Sequence, residues 1–239
     1  MNAFARTGLA LAVICGLGEL LAGLGYRWDW WHFRTGIQIM RWSASADLAA
    51  VVLTLVAAVL AYRRGARGAL ATSVAGIALS LVVAGPPLYH WRLADQLPRI
   101  HDISTDTEQP PAYVSVLPLR KAAENSTEYS AEVALLQKKA YPDIAPALLD
   151  VPPAQAYARA EGAARVMGWD IVAAVPGDLR IEATDTTLLF GFKDDVVIRV
   201  SASGSGSRVD VRSLSRVGRS DFGVNANRIR KYLKLLAAG

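Results

Sequence analysis

The chain has 239 residues, of which 52% are apolar, and a formal net charge of +5. That length suits one soluble domain with a small membrane module, and a single cysteine, Cys15, excludes an intrachain disulfide. Residues 1–92 hold 8 basic and 3 acidic side chains, whereas residues 93–239 hold 18 of each. Because the excess of basic side chains in residues 1–92 flanks apolar runs, the sequence favours a membrane protein, and no nucleic-acid partner is expected.

Three apolar runs, at residues 7–25, 43–62 and 69–89, each approach the roughly 20 residues that a helix needs to cross a bilayer. We therefore predict a three-helix transmembrane module over residues 1–92. A cleaved signal peptide is the alternative for the first run, but that run is long, contains Glu19 and has no small-x-small cleavage site after it. Small residues spaced four apart, such as Gly18 and Ala22 or Ala57 and Ala61, predict close helix packing rather than a dimerisation face.

The short loop with Arg63, Arg64 and Arg67 indicates the sidedness, because short basic loops prefer the cytoplasm. The expectation is a bacterial inner-membrane protein with a cytoplasmic N-terminus and a periplasmic C-terminal domain. The first loop opposes this assignment, since Arg27, Arg34 and Arg41 then lie outside. Its interleaved tryptophans favour anchoring in the lipid headgroup layer over a ligand site.

Ionisable groups in the apolar runs are candidate functional residues, because they are expensive to place in a membrane. Glu19, Asp47 and His90 fall near the same leaflet in the predicted topology. We expect them to satisfy one another, together with Arg34 or Arg41, rather than to form a transport pathway.

The soluble part is predicted to be an α+β domain. Residues 93–118 contain four prolines and read as a linker or extended segment, and residues 119–239 form the domain. Helices are predicted at residues 130–141, with Ser130 as N-cap, and at residues 152–167, which begin with prolines.

After Gly168 the apolar period becomes two, which predicts an antiparallel meander. Its strands are expected at residues 169–175, 178–184, 187–192, 196–201 and 208–213. One face is apolar, and the other carries charged residues and is expected to be solvated: Arg180, Glu182, Arg199, Arg208, Asp210 and Arg212.

The last element is a predicted helix with Asn225 as N-cap, whose apolar stripe should close the apolar face of the sheet. The stripe consists of Ile229, Tyr232, Leu233 and Leu236. The fold class is thus a three-helix membrane module plus an α+β domain, with an antiparallel meander and helices packed on one face. The basic C-terminal stretch, residues 208–239, is expected to pair with the acidic remainder of its own domain, although anionic lipid is an alternative.

Signatures of common catalytic sites are absent from the sequence, and the assignment as an enzyme stays open with a preference against it. His101, Asp102 and Asp106 place an imidazole and two carboxylates within six residues. A metal could use such ligands, but no second cluster supports it, so local turns are favoured, and no metal or cofactor is expected.

A second segment, residues 212–228, runs from a strand through a glycine-containing loop into a helix N-terminus. This arrangement binds phosphate or carboxylate groups in many proteins. The candidate residues are Arg212, Ser213, Ser215, Arg216, Arg219, Asp221, Asn225 and Arg228. The alternative is a structural loop in which Asp221 pairs with an arginine and Asn225 caps the helix.

Residues 99–107 and residues 212–228, with residues 191–199 between them, resemble signature segments of a bacterial and plastid family. That family is called domain of unknown function 1499, and the resemblance covers residues 98–236. Three preceding spans resemble one arrangement found in that family. The resemblance implies a domain boundary and no activity.

The leading interpretation is a cell-envelope protein whose outward-facing domain binds an envelope component, an anionic ligand or a partner protein, with membrane lipids around its helices. One alternative is an enzyme on an anionic envelope substrate, with His101 or Asp102 as acid/base and Arg212 and Arg216 as clamp, which requires His101 and Arg212 to share a pocket. The other is a membrane-surface scaffold, in which Lys231 and Lys234 contact anionic lipid.

Overall fold

The computed structural model describes residues 2–238 and divides the chain into two compact units. The first extends to Asp95 and includes Leu188–Gly191. The second contains Gln96–Thr187 and the chain from Phe192 onward. Helices form the first unit, and the second combines strands with helices.

Three long helices make up the first unit: α1 (Asn2–Arg27), α2 (Phe33–Arg63) and α3 (Arg67–Gln96). All three are long and apolar enough to cross a membrane, as the sequence predicts. Each helix extends beyond its apolar run. Because α2 already begins at Phe33, Arg34 and Arg41 lie on its first turns and not in a loop.

Small residues let these helices approach closely. A Cβ added at Gly8 of α1 or Gly76 of α3 would lie 2.6 or 2.5 Å from the methyl carbon of Thr54 on α2. The Thr54 hydroxyl is satisfied within its own helix, since it donates to the carbonyl of Ala50 at 2.7 Å. The small residues therefore serve packing within the chain, as the sequence predicts.

The second unit is built on a six-stranded antiparallel sheet. Its strands are β1 (Asp102–Ser104), β2 (Ala147–Leu149), β3 (Asp170–Val175), β4 (Arg180–Thr186), β5 (Lys193–Ser203) and β6 (Gly206–Ser215). Their order is β1-β6-β5-β4-β3, and β2 also pairs with β6. Strands β3 to β6 form the predicted meander. The sequence did not indicate β1 or β2, because three residues are too few to display alternation.

The predicted strand at residues 187–192 is wrong, because these residues connect β4 to β5. The Thr187 backbone N–H donates to the Phe192 carbonyl at 2.9 Å, and the Phe192 N–H donates to the Thr187 hydroxyl at 2.9 Å. Gly191 adopts φ +69°, a left-handed conformation that suits glycine. Residues 193–195, predicted as a turn, instead begin β5.

Helices cover the apolar face of the sheet. α5 (Pro153–Val166) and α6 (Val224–Ala238) pack on it, and α4 (Ala131–Ala140) precedes them with Ser130 as the predicted N-cap, accepting the Val133 N–H at 3.2 Å. The predicted stripe of α6 is confirmed, with Ile229 and Tyr232 fully buried in the main core. The ring of Tyr232 stacks on Trp169 with centroids 5.3 Å apart.

The opposite face carries the predicted charges, but the expectation that solvent covers it is wrong for Glu182, Asp210 and Arg212, which are buried. A connection between β1 and α4 covers this face. In it, the Tyr113 hydroxyl donates to the Asp195 carbonyl at 2.9 Å. The Glu182 carboxylate accepts the backbone N–H groups of residues 114–116 at 2.9–3.2 Å. Charged strand residues thus bind the covering segment instead of water.

Candidate functional site

The candidate anion-binding segment lies where β6 leads into α6. Arg212, Ser213 and Ser215 are at the end of β6, Arg216, Arg219 and Asp221 are in the connection, and Asn225 and Arg228 are in the first turns of α6. The fold thus brings strand end and helix start together. Most of their polar groups, however, contact one another or neighbouring carboxylates.

Arg212 forms a bidentate ion pair with Asp102 of β1. Its Nε and Nη2 lie 3.0 and 2.7 Å from the two carboxylate oxygens, and the two residues are 3% and 2% exposed. The guanidinium also donates to the carbonyls of Pro111 and Thr127. Burial raises the pKa of Asp102 even though Arg212 opposes the shift. Arg212 is therefore enclosed, and the Nε and Nη2 donors of its guanidinium are occupied by a carboxylate of the same domain.

Asp195 of β5 forms ion pairs with two further arginines. It is fully buried, and it accepts from Nε and Nη2 of Arg216 at 2.9 and 2.7 Å and from Nη1 of Arg120. The Thr184 hydroxyl donates to it at 2.8 Å. Arg216, predicted as part of an anion clamp, thus already holds an anion supplied by the sheet.

Arg228 is bound in the same way at the start of α6. Its Nε lies 2.8 Å from Asp185 and its Nη2 lies 2.6 Å from Asp194. Nη1 donates to Asn225, whose Oδ1 in turn accepts from the Ser213 hydroxyl at 2.7 Å. The predicted pairing of the basic C-terminal stretch with acidic residues of its own domain is therefore what the structure contains.

The N-cap prediction for Asn225 is wrong, because Asp221 occupies that role. α6 begins at Val224, and the Asp221 carboxylate accepts the backbone N–H groups of Gly223 and Asn225, both at 2.9 Å. Phe222 and Gly223 adopt φ of +51° and +79° to make this approach. Burial raises the pKa of Asp221, although these two backbone bonds oppose the shift. The helix N-terminus is thus occupied by a carboxylate of the chain.

Two arginines at this edge of the domain remain available. Arg99 and Arg219 are exposed and form no ion pair or side-chain hydrogen bond within residues 2–238. Their segments run side by side, since the Asp221 N–H donates to the Ile100 carbonyl at 3.1 Å. The His101 ring Nδ1 lies 3.4 Å from the Arg219 carbonyl. We call Arg99, His101 and Arg219 the basic rim.

The three secondary candidates do not converge. Asp102 is committed to Arg212, and His101 lies beside the carbonyl of Arg219. Asp106 instead contacts Arg199 and Arg208 at 3.1 and 2.9 Å. Within residues 2–238 no cluster of three metal-ligating side chains was found. This arrangement offers ion pairs and local turns, and it places the guanidinium of Arg212 in a buried pair with Asp102.

Comparison with known families settles the relationship of this domain. Residues 102–236, more than half of the chain, match the family described as protein of unknown function (DUF1499). The chain belongs to the DUF1499 family. No curated protein matches the chain.

Sequence reasoning missed the carboxylates that organise the DUF1499 domain. Asp194 and Asp195 were assigned to a turn, although they begin β5, and Glu182 was assigned to a solvated face. Arg120, the second partner of Asp195, lies in a single turn of 3₁₀ helix at Leu117–Arg120. A useful signal was available, because Glu182 lies between Ile181 and Ala183 and the two aspartates directly precede Val196 and Val197, all of which are buried.

Among the intramembrane candidates of this DUF1499 protein, His90 lies at a different level from Asp47. Asp47 is fully buried and accepts a hydrogen bond from Ser80 of α3 at 2.9 Å. His90 is ten residues beyond Ser80, about 15 Å along the helix. Neither Asp47 nor Glu19 forms an ion pair with Arg34 or Arg41 in the described structure. The expected cluster of all these groups is therefore absent from residues 2–238.

The Arg212–Asp102 pair generates a prediction about stability. Replacing Arg212 with Ala should lower the free energy of unfolding by about 3–5 kcal/mol, because Asp102 is left buried without its counter-ion. The Asp102→Asn/Arg212→Leu double variant should lose less, since no buried charge remains. Urea denaturation of the detergent-solubilised chain, followed by circular dichroism, measures these differences. Arg219→Ala is the exposed control and should stay within about 0.5 kcal/mol; equal losses in Arg212→Ala and Arg219→Ala would contradict the argument.

Asp106 generates a prediction about acid sensitivity. Partial desolvation opposes the shift, but the N–H groups of Gln109 and Glu108 with Arg208 and Arg199 lower the pKa of Asp106 below 3.8. The stabilising effect of ionised Asp106 is therefore complete above the ordinary pKa of 3.8, and it is lost as the pH falls through the lower pKa of the folded state. Asp106→Asn should destabilise the domain by about 1 kcal/mol at neutral pH and flatten the acid limb of its stability curve.

Urea denaturation repeated at several acidic pH values measures how the free energy of unfolding falls with pH, which is the acid limb of the stability curve. Asp170→Asn, which removes an exposed aspartate without an ion pair in the described chain, is the matched control and should leave the limb unchanged. An acid limb of the same slope in the Asp106→Asn variant and in the unmodified chain would exclude Asp106 as its source.

Proposed function

We propose that this chain is a membrane-anchored cell-envelope protein whose α+β domain binds an anionic envelope component through the basic rim. The three apolar helices serve as the anchor. The rim offers the guanidiniums of Arg99 and Arg219, which are donors that suit phosphate or carboxylate oxygens.

The observation that carries this proposal is the contrast between two groups of arginines. Arg212, Arg216 and Arg228 are held by carboxylates of their own domain, so an incoming anion would have to displace a paired, buried charge. Arg99 and Arg219 are exposed and have no such partner in residues 2–238. Their binding to an external anion therefore breaks no existing ion pair.

A phosphate-containing lipid headgroup is the source of the anion that we favour. Arg99 follows the end of α3, at Gln96, by three residues. Such a position keeps a basic side chain within reach of the membrane surface by chain length alone. A basic residue near an anionic surface contributes about 1 kcal/mol to binding. A free phosphate would use the same donors, and an experiment must separate the two.

The enzyme alternative receives no support from the geometry. It requires Arg212 and Arg216 as an anion clamp beside His101. Arg212 is 3% exposed and both arginines are bound to carboxylates. The scaffold alternative rests on one observation, the exposure of Lys231 and Lys234 on α6, and is therefore tested beside the rim.

Lipid binding to the full-length chain in neutral detergent tests the proposal. Replacing both Arg99 and Arg219 with Ala should weaken binding of short-chain phosphatidylglycerol by roughly 10- to 30-fold, as two contributions of about 1 kcal/mol predict. Native mass spectrometry or calorimetry measures this change. Phosphatidylcholine and inorganic phosphate are the comparison ligands, and equal competition by inorganic phosphate would identify the ligand as phosphate rather than lipid.

The Lys231→Ala/Lys234→Ala variant is the matched control, because it removes the same charge from exposed positions elsewhere in the domain. It should bind phosphatidylglycerol like the unmodified chain. Weaker binding in this variant alone would support the scaffold alternative. Unchanged binding in the Arg99→Ala/Arg219→Ala variant would exclude the rim.

We further propose that the chain lies in the bacterial inner membrane with its N-terminus in the cytoplasm and the domain in the periplasm. The basic loop of Arg63, Arg64 and Arg67 supports this orientation. In a Cys15→Ala background, Arg219→Cys should react with a membrane-impermeant maleimide in intact cells, whereas Arg64→Cys should react only after permeabilisation. The opposite pattern would reverse the assignment.

A further inference from the structure

Two carboxylates lie where the three apolar helices meet. Asp47 of α2 is fully buried, and its Oδ1 accepts from the hydroxyl of Ser80 on α3 at 2.9 Å. Glu19 of α1 is within electrostatic range of Asp47. An added Cβ at Gly18 would lie 2.4 Å from the hydroxyl of Ser43, one turn before Asp47, so α1 and α2 are closely apposed at this level.

One oxygen of each carboxyl is buried without a hydrogen-bond partner in residues 2–238, namely Oε1 of Glu19 and Oδ2 of Asp47. No basic side chain of the described structure forms an ion pair with either. Residues 69–89 of α3 contain no charged residue, and the other titratable group nearby is the thiol of Cys15 on α1. Nothing in these surroundings therefore compensates two negative charges.

A buried carboxylate without a counter-ion is so costly that the group takes up a proton instead. Ser80 provides one neutral O–H, which stabilises negative charge on Asp47. The buried Oε1 of Glu19 receives no hydrogen bond from any described residue. Of the two carboxyls, Glu19 is thus the better place for the proton.

We propose that Glu19 and Asp47 form a proton-binding site within the membrane module, with the proton held on Glu19. This inference is independent of the basic rim, because the groups and the ligand differ. The site exchanges H⁺ by making and breaking one O–H bond at the Glu19 carboxyl. Glu19 is also partly exposed along α1, so a lipid-soluble reagent can reach it.

Dicyclohexylcarbodiimide, which attacks protonated carboxyls in apolar surroundings, tests the proposal. The carboxyl O–H adds across one C=N bond, so that an O–C bond forms and the proton moves to nitrogen. The acyl group then migrates to nitrogen and gives a stable acylurea, with no atom lost. The reagent is applied to the full-length chain in detergent, and tryptic peptides are then analysed by mass spectrometry.

Trypsin separates the relevant acids, since Glu19 falls in peptide 7–27, the exposed Asp29 in peptide 28–34 and Asp47 in peptide 42–63. The adduct on peptide 7–27 should exceed that on peptide 28–34 by at least about tenfold, because several kcal/mol separate the two environments. It should decline as pH is raised. Equal labelling of the two peptides would overturn the proposal.

Variants test whether the two carboxyls share the proton. Glu19→Gln should remove the adduct from peptide 7–27. Asp47→Asn should move the pH midpoint of Glu19 labelling to lower pH, because it removes the neighbouring negative charge, whereas Asp29→Asn should leave the midpoint unchanged. An identical midpoint in the unmodified chain and the Asp47→Asn variant would show that the carboxyls are uncoupled, contrary to the proposal.

Sodium chloride provides a measurement that needs no variant. If the site binds a proton, labelling of peptide 7–27 should be the same in sodium chloride and in choline chloride at equal ionic strength. Protection by sodium alone would mean that the carboxyls bind a metal cation, and it would overturn the proposal.

Discussion

The pairing of buried charges is the constraint on which the soluble domain depends. Its sheet has an apolar face that helices cover in the ordinary way. The other face carries charges that are also covered, and a covered charge must have a partner. Arg212 with Asp102, and Asp195 with Arg120 and Arg216, satisfy this requirement. These pairs join β1, β5, β6 and the covering segment, so they fix the position of a long stretch that has little regular structure of its own.

This constraint also determines which arginines of the domain have a carboxylate partner within the chain. A strand–loop–helix junction with several arginines looks like an anion site, but here the anions belong to the chain. Asp221 occupies the N-terminus of α6, and Asp185 and Asp194 hold Arg228. The exposed side chains that these ion pairs do not use, Arg99 and Arg219, lie at the rim of the junction and not in its centre.

Much of the architecture could be predicted from the sequence, because it follows from apolar periodicity. The three spans, α5, α6 and the meander of β3 to β6 were found in this way, and so was the stripe of Ile229 and Tyr232. The predictions that were wrong concerned features that depend on contacts between distant segments of the chain. Nothing local indicates that residues 114–116 cover Glu182, or that Asp195 pairs with Arg120 from 75 positions away. Residues 212–228 do join a strand end to a helix start, yet the carboxylates that pair with their arginines come from other strands.

The membrane module also contains buried carboxyl groups, but the described chain places fewer polar partners around them. In the soluble domain, arginines pair with the buried aspartates Asp102, Asp194, Asp195 and Asp210. Around Glu19 and Asp47 the described chain provides one serine hydroxyl and no basic group. Hydrocarbon offers no water to stabilise charge, so neutralisation must come from outside the chain. A proton is the smallest ligand that does this, and it requires no cavity. The carboxyl pair of the membrane module thus has no arginine partner in the described chain, whereas the buried aspartates Asp102 and Asp195 of the domain each have one.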